Sequence, residues 1–238
     1  MPAVLVHGVP DTHRVWRALA ARLRRADVII LSLPGFGCEL PAGFDCTKDA
    51  YARWLLAELS RIEGPIDLVG HDWGGLLVVR AVSLEPALVR TWAAGAAPLD
   101  PEYEWHKAAQ LWQTPGVGEQ VMEKLTPEVL GASLSAAGVP DADATTAAAQ
   151  LDETMKRSIL ALYRSAIRVG FEWVDDLQRA PARGLILWGE NDPYAAPEFG
   201  RRLADRTRAR FVPFAGCSHW WQLERAGEVA NELEAHWR

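Results

Sequence analysis

Ile66-Asp67-Leu68-Val69-Gly70-His71-Asp72-Trp73-Gly74-Gly75-Leu76 is an apolar run that passes straight into a helical pattern through a turn dense in glycine. A strand that turns this sharply into a helix holds its central residue, here Asp72, in strained backbone geometry. Small residues two before and two after it relieve the crowding that results. The turn therefore lifts the Asp72 side chain above the carboxyl end of the strand. Aspartate is also a favoured helix cap, but Gly70, Gly74 and Gly75 standing in register point to an exposed functional side chain.

The same grammar repeats on both sides of this segment. Apolar runs rich in Val, Ile and Leu recur at 3–6, 28–33, 66–69, 91–96, 185–188 and 210–212. They are bounded by Gly and Pro and lack strict alternation, as strands buried on both faces do. Helical stripes lie between and after them: Trp16, Leu19 and Leu23; Tyr51, Leu55, Leu59 and Ile62; residues 76–82; and Val229, Leu233 and Trp237. Alternating strands and helices predict an α/β fold, with a parallel sheet covered on both faces and functional groups gathered beyond the carboxyl ends of the strands.

One long stretch, residues 100–182, shows helical periodicity and no strand. Thr126-Pro127-Glu128 reads as an N-cap followed by proline at the first helical position, and Met155, Ile159, Leu162 and Ala166 form one stripe. Residues 140–144 read as a mobile loop or a weak helix start. The stretch is expected to form a helical lid between the fourth and fifth strands, leaving residues 1–99 and 183–238 as the core.

Composition removes several functional classes. The net charge is −6 and no run of Lys or Arg stands out, so the electrostatic footprint for nucleic acid is missing. The amino terminus has neither a basic flank nor an apolar stretch long enough for a signal peptide or membrane span, which predicts a cytoplasmic protein with no membrane partner. Three scattered cysteines, Cys38, Cys46 and Cys217, suit neither a disulfide framework nor paired metal ligands, and read as buried or half-buried thiols. His13, His106 and His236 lack ligand spacing, so no metal or other cofactor is expected.

With Asp72 at its centre, the opening segment resembles the carboxylate-nucleophile branch of the α/β-hydrolase superfamily, which contains epoxide hydrolases and haloalkane dehalogenases. His7-Gly8-Val9-Pro10 is similar to the turn that supplies half of that family's oxyanion hole, and Leu33-Pro34-Gly35-Phe36-Gly37 resembles the loop after its next strand. Gly189-Glu190-Asn191-Asp192 and Gly216-Cys217-Ser218-His219 look like its acid and histidine loops. The resemblance covers the whole chain. It implies an α/β-hydrolase fold with a shortened, mostly parallel sheet of about six strands, since the first strand already carries the H-G-x-P turn and two leading strands are missing. One edge strand near the amino terminus is then uncovered, to be managed by shortness, by charge or by a partner subunit, so a homodimer is one expectation.

The resemblance also implies roles. Asp72 would attack a saturated carbon to give an alkyl-enzyme ester, with His219 as the base that activates water for its cleavage. Asp192 would orient the imidazole, with Glu190 and Asp100 as competing acids. The backbone N–H groups of Val9 and Trp73 would form the oxyanion hole, supported by His7 and Gly8. The implied partners are a small apolar electrophile and water.

The leaving group divides the readings. Epoxides need a proton donor, and Tyr163-Arg164 resembles the lid Tyr-Arg pair of epoxide hydrolases. The lid's other tyrosine is replaced by Ala108, with Tyr103 and His106 nearby. Trp73 suits either chemistry. Val9 stands where one dehalogenase group has a halide-binding Asn, although Trp105 or Trp112 could substitute. Epoxide hydrolysis is the expected activity, haloalkane dehalogenation the alternative. A non-catalytic receptor on the same fold is a more distant one, since fold alone does not fix function.

Overall fold

The computed structural model describes residues 1–181 and 183–238. Six strands, β1 (Ala3–Val6), β2 (Val28–Leu31), β3 (Ile66–His71), β4 (Val89–Gly95), β5 (Gly184–Gly189) and β6 (Arg210–Phe214), form one sheet. All neighbouring strands are parallel and the order is β2-β1-β3-β4-β5-β6, so the mostly parallel sheet expected from sequence is entirely parallel. Alternate residues feed two cores. Val4, Val6, Leu68 and Ala94 point into one, while Ala3, Leu5, Val69 and Ala93 point into the other.

The short α1 (Arg17–Ala20) lies with the second core, whereas α2 (Lys48–Ser60) and α3 (Trp73–Leu84) lie with the first. Trp16, Leu19 and Leu23 are buried as expected, but in place of one continuous helix a 3-10 turn over His13–Trp16 carries Trp16, a single α turn carries Leu19, and Leu23 follows outside any helix. β2 ends at Leu31, earlier than its apolar run, because the Leu33 N–H is diverted to His7 Nε2 at 3.0 Å. β2 and β6 are the sheet edges. All four residues of β2 are partly exposed and β6 begins exposed, so full burial on both faces holds for the inner strands only.

Between β4 and β5 the chain forms α4 (Lys107–Gln113), α5 (Val117–Lys124), α6 (Pro127–Ala136), α7 (Asp141–Ala148), α8 (Glu153–Ser165) and α9 (Val169–Glu172). Thr126 caps α6 through a bond from the Val129 N–H, and proline opens that helix. Met155, Ile159 and Leu162 lie buried along α8. Residues 141–144, read from sequence as loop or weak helix, begin α7, because Ala144 and Ala148 pack with Leu130 and Leu134 of α6. The last residue of the expected lid, Ala182, lies outside the described residues. After β5 come α10 (Pro197–Thr207), α11 (Trp221–Glu224) and α12 (Ala226–His236). Cys46 and Cys217 are buried, whereas Cys38 is exposed against expectation. Among the described residues, no helix is long and apolar enough to cross a membrane.

Candidate active site

Asp72 occupies the junction of β3 and α3 with φ 52° and ψ −121°, a left-handed conformation that aspartate adopts at a cost. Its side chain caps nothing, so the helix-cap reading of this residue does not describe the turn. The glycines explain how the turn closes: a Cβ at Gly70 would strike the Gly74 carbonyl, and one at Gly74 would strike the carbonyls of Val6 and His7. Helix α3 can therefore start directly against the end of β1, leaving Asp72 above the sheet.

The loops after β1, β5 and β6 meet at this point. The Val9 N–H donates to Asp72 Oδ2 at 2.8 Å. Gly8 is needed for that approach, because a Cβ there would collide with the Asp72 carboxylate. His7 fixes the same loop. Its Nε2 accepts from the Leu33 N–H, so the proton resides on Nδ1, which donates to the Gly8 carbonyl at 2.8 Å. Burial pushes His7 down to about 4, which keeps this ring neutral at pH 7.

His219 lies between two carboxylates. Its Nδ1 is 2.8 Å from Asp192 Oδ2, and its Nε2 is 3.8 Å from Asp72 Oδ1. The Asp192 carboxylate is fully buried, and its other oxygen accepts the N–H groups of Tyr194 and Ala195 at 2.8 and 3.1 Å. The competing acids are elsewhere: Asp100 is held by Arg202 and Arg206, and Glu190 is exposed. From below, His71 Nε2 donates to the His219 carbonyl at 3.0 Å. Burial pushes Asp72 up to about 6, against the pull of His219 and the Val9 amide. For His219 burial works downward, but Asp192, Asp72 and Asp11 outweigh it and raise the imidazole above its ordinary range.

A cavity of about 310 Å³ opens over these groups, with Asp72, Val9 and His219 at its floor and helices α4, α5, α6 and α8 around it. The lining is largely aliphatic and aromatic, as small-molecule sites are. Tyr163 faces the cavity, and burial followed by the Asp72 charge pushes its phenol well above the usual range. Arg164, next to it, turns away and makes two bonds of 2.7 Å to Glu119, locking α8 to α5. Trp73 is fully buried, stacked on Trp105 with 5.8 Å between centroids and edge-on to Tyr163. Its indole N–H has no protein acceptor. Ala108, where a second lid tyrosine was sought, lines the cavity but offers no polar atom.

Sequence reading missed two residues. Asp11, buried just beyond the Val9-Pro10 turn, accepts the Trp220 indole N–H at 2.8 Å and so braces the residue after His219. Burial pushes Asp11 up to about 6. Tyr194 packs edge-on against His219 at 5.0 Å and lines the cavity. Its place two residues after Asp192 was the available signal. Among the described residues, no group of three or more His, Cys, Asp or Glu could hold a metal ion.

The fold and these converging loops define the class, and sequence comparison agrees: the chain belongs to the alpha/beta hydrolase family, whose profile matches residues 3–232. It is similar to bifunctional epoxide hydrolase 2 of Rattus norvegicus, 24% identical over 296 aligned positions covering 99% of this chain and 51% of that protein. A haloalkane dehalogenase of Psychrobacter cryohalolentis is 31% identical over 118 residues, 47% of this chain and 39% of that enzyme. The chain thus spans about half the length, or less, of these curated relatives. Among solved structures, the haloalkane dehalogenase DbeA from Bradyrhizobium elkani superposes with a TM-score of 0.77 at 19% identity, covering 99% of this chain and 90% of that one. At that identity the likeness speaks for the fold alone.

Proposed function

We propose that this protein is an epoxide hydrolase that works through an aspartyl ester, with residues 1–99 and 183–238 carrying the chemistry of the ester and the helical insertion acting as its cap. The observation that carries the reading is the convergence of Asp72, His219 and Asp192 beneath a cavity that Tyr163 also lines. Asp72 Oδ1 attacks a ring carbon, the carbon–oxygen bond of the oxirane breaks, and its electron pair passes to the ring oxygen. That oxygen takes a proton from a phenol. Oδ2, already facing the Val9 N–H, becomes the carbonyl oxygen of the ester.

Hydrolysis then needs a base that does not bond directly to Asp72, and the 3.8 Å gap from His219 Nε2 suits an imidazole that addresses water. His219 takes a proton from that water as it attacks the ester carbonyl carbon, with charge collecting on Oδ2 between the Val9 and Trp73 amides. The imidazolium returns its proton to the departing diol oxygen. The regenerated Asp72 acid gives its proton to the phenolate, so the balance is epoxide plus water to diol.

The epoxide reading is favoured over halide release by where the donors face. Tyr163 is among the residues lining the cavity, whereas Trp73 is not, its ring packing against Trp105 and Tyr163 and its indole N–H buried without an acceptor. An acyl esterase would place Ser at residue 72. One assay panel of terminal epoxides and 1-bromoalkanes, scored for both diol and halide, tests the reading, and Asp72→Ala should abolish turnover in a folded protein. Bromide release with inert epoxides would make the protein a dehalogenase.

A further inference from the structure

The lid tyrosine missing at Ala108 raises the question of what shares the ring oxygen with Tyr163. Four hydroxyl-bearing residues line the cavity, Tyr103, Ser133, Tyr163 and Tyr194. Two are committed. Tyr103 donates to the Tyr194 carbonyl at 3.2 Å, and Ser133 donates to the Val129 carbonyl within its own helix at 2.8 Å. Among the described residues, no protein acceptor takes the hydroxyl of Tyr163 or of Tyr194. His106 also faces the cavity, but burial pushes it down to about 4, so at pH 7 it is a neutral ring and not an acid of useful strength.

The geometry points to Tyr194, from the loop that carries Asp192, as the second phenol donor to the oxirane oxygen, standing opposite Tyr163 of the insertion. This rests on the epoxide reading given above. Tyr194 is held in place from several sides. Its N–H binds Asp192 Oδ1, its carbonyl receives the Tyr103 hydroxyl, and its ring lies between His219 at 5.0 Å and His106 at 4.9 Å. A donor fixed by backbone bonds needs little reorganisation as charge develops on the oxygen. The two free phenols also feel the same charges. Burial leads in both, followed by the Asp72 carboxylate for Tyr163 and by Asp192 and then Asp72 for Tyr194. Tyr194 is pushed up to about 12.

In this arrangement the oxirane oxygen, on gaining the electron pair of the breaking C–O bond, takes a proton from one of the two phenols while the other donates a hydrogen bond. Esterification removes the negative charge of Asp72, which eases formation of the phenolate at that moment. The phenolate regains its proton from the Asp72 acid when the ester is hydrolysed.

Tyr194→Phe deletes one oxygen and keeps the ring against His219, so packing is preserved. In a His219→Gln background that traps the ester, alkylation by 1,2-epoxyhexane should slow by about a hundredfold in Tyr194→Phe, and further when Tyr163→Phe is added. In the native background, the hydrolysis rate of the ester, measured by quenched single turnover and intact mass, should stay within about threefold, because no phenol is needed to activate water. Alkylation and hydrolysis slowing together, or alkylation proceeding at the unmodified rate, would overturn the assignment of Tyr194 while leaving the epoxide reading in place. A native enzyme inert to 1,2-epoxyhexane that releases bromide from 1-bromohexane would overturn both.

Discussion

Under the proposed function, replacing Asp192 by Asn tests how the histidine is held, and the geometry gives the expected outcome atom by atom. Asp192 Oδ1 accepts two backbone N–H groups, from Tyr194 and Ala195, while Oδ2 faces His219 Nδ1. An asparagine must keep its single carbonyl oxygen toward the two N–H donors, so its amide NH₂ turns toward His219. The imidazole then has to accept at Nδ1 and carry its proton on Nε2, the nitrogen that should take a proton from water. Loss of the correct tautomer costs about 10⁴ in rate in a comparable acid–histidine pair, equivalent to about 5.5 kcal/mol. Attack by Asp72 uses no lone pair of His219, so alkylation should slow far less, by about tenfold at most. Asp100 cannot take over, being engaged with Arg202 and Arg206. A quenched reaction of Asp192→Asn with an epoxide should show one covalent equivalent of substrate by intact mass, persisting long after native enzyme has turned over. Steady-state turnover within tenfold of native, or a folded variant that never accumulates the ester, would refute this account of Asp192.

Gly8→Ala should fold but lose at least about a hundredfold in alkylation, because its methyl meets the Asp72 carboxylate and displaces it from the Val9 N–H; circular dichroism with single-turnover alkylation checks both halves. The alkylation rate should fall as pH drops through about 6, where the buried Asp72 gains a proton and stops being a nucleophile. Hydrolysis of the ester also needs the unprotonated partner, neutral His219, and should rise with pH. Its midpoint should lie below that of His219 in the free enzyme, because the Asp72 charge that helps raise the imidazole is absent from the ester. Rapid-quench measurements of each step across pH separate the two limbs.

The inner sheet was legible because strands covered on both faces are dominated by apolar side chains, so β1, β3, β4 and β5 carry apolar segments such as 3–6, 68–69, 92–94 and 185–188, even though β3 and β4 also hold Asp67, Arg90 and Thr91. Boundaries were less legible where a side chain competes for the backbone. The chain leaves the sheet at Ser32 because His7, distant in sequence, captures the Leu33 N–H. Helix α7 was legible only as a loop or a weak helix start for another reason: its alanines and threonines have little apolar character of their own, and it is the surface of α6 that completes it. Asp72, Asp192 and His219 were visible because each follows a strand within a recognisable turn. Asp11 and Tyr194 were not, since their partners, Trp220 and the cavity floor, come from segments that only the closed sheet brings together.

Under the proposed reading, that difference follows the division of labour in the site. Everything required to make and cleave the ester sits on loops fixed to strand ends, where small shifts are resisted by the sheet and by buried bonds such as that from His71 to the His219 carbonyl. The insertion contributes Tyr163 and the apolar walls, and it is tied to the acid loop through the Tyr103 hydroxyl on the Tyr194 carbonyl. Changes along α5 and α6, at positions such as Val121, Leu130 or Leu134, should therefore alter which epoxides are accepted while leaving hydrolysis of a formed ester unaltered. The ring-opening donors straddle this boundary, one phenol on the insertion and one on the core. A displacement of α8 would withdraw Tyr163 but not Tyr194, so ring opening should be slowed by disturbance of the insertion without being abolished.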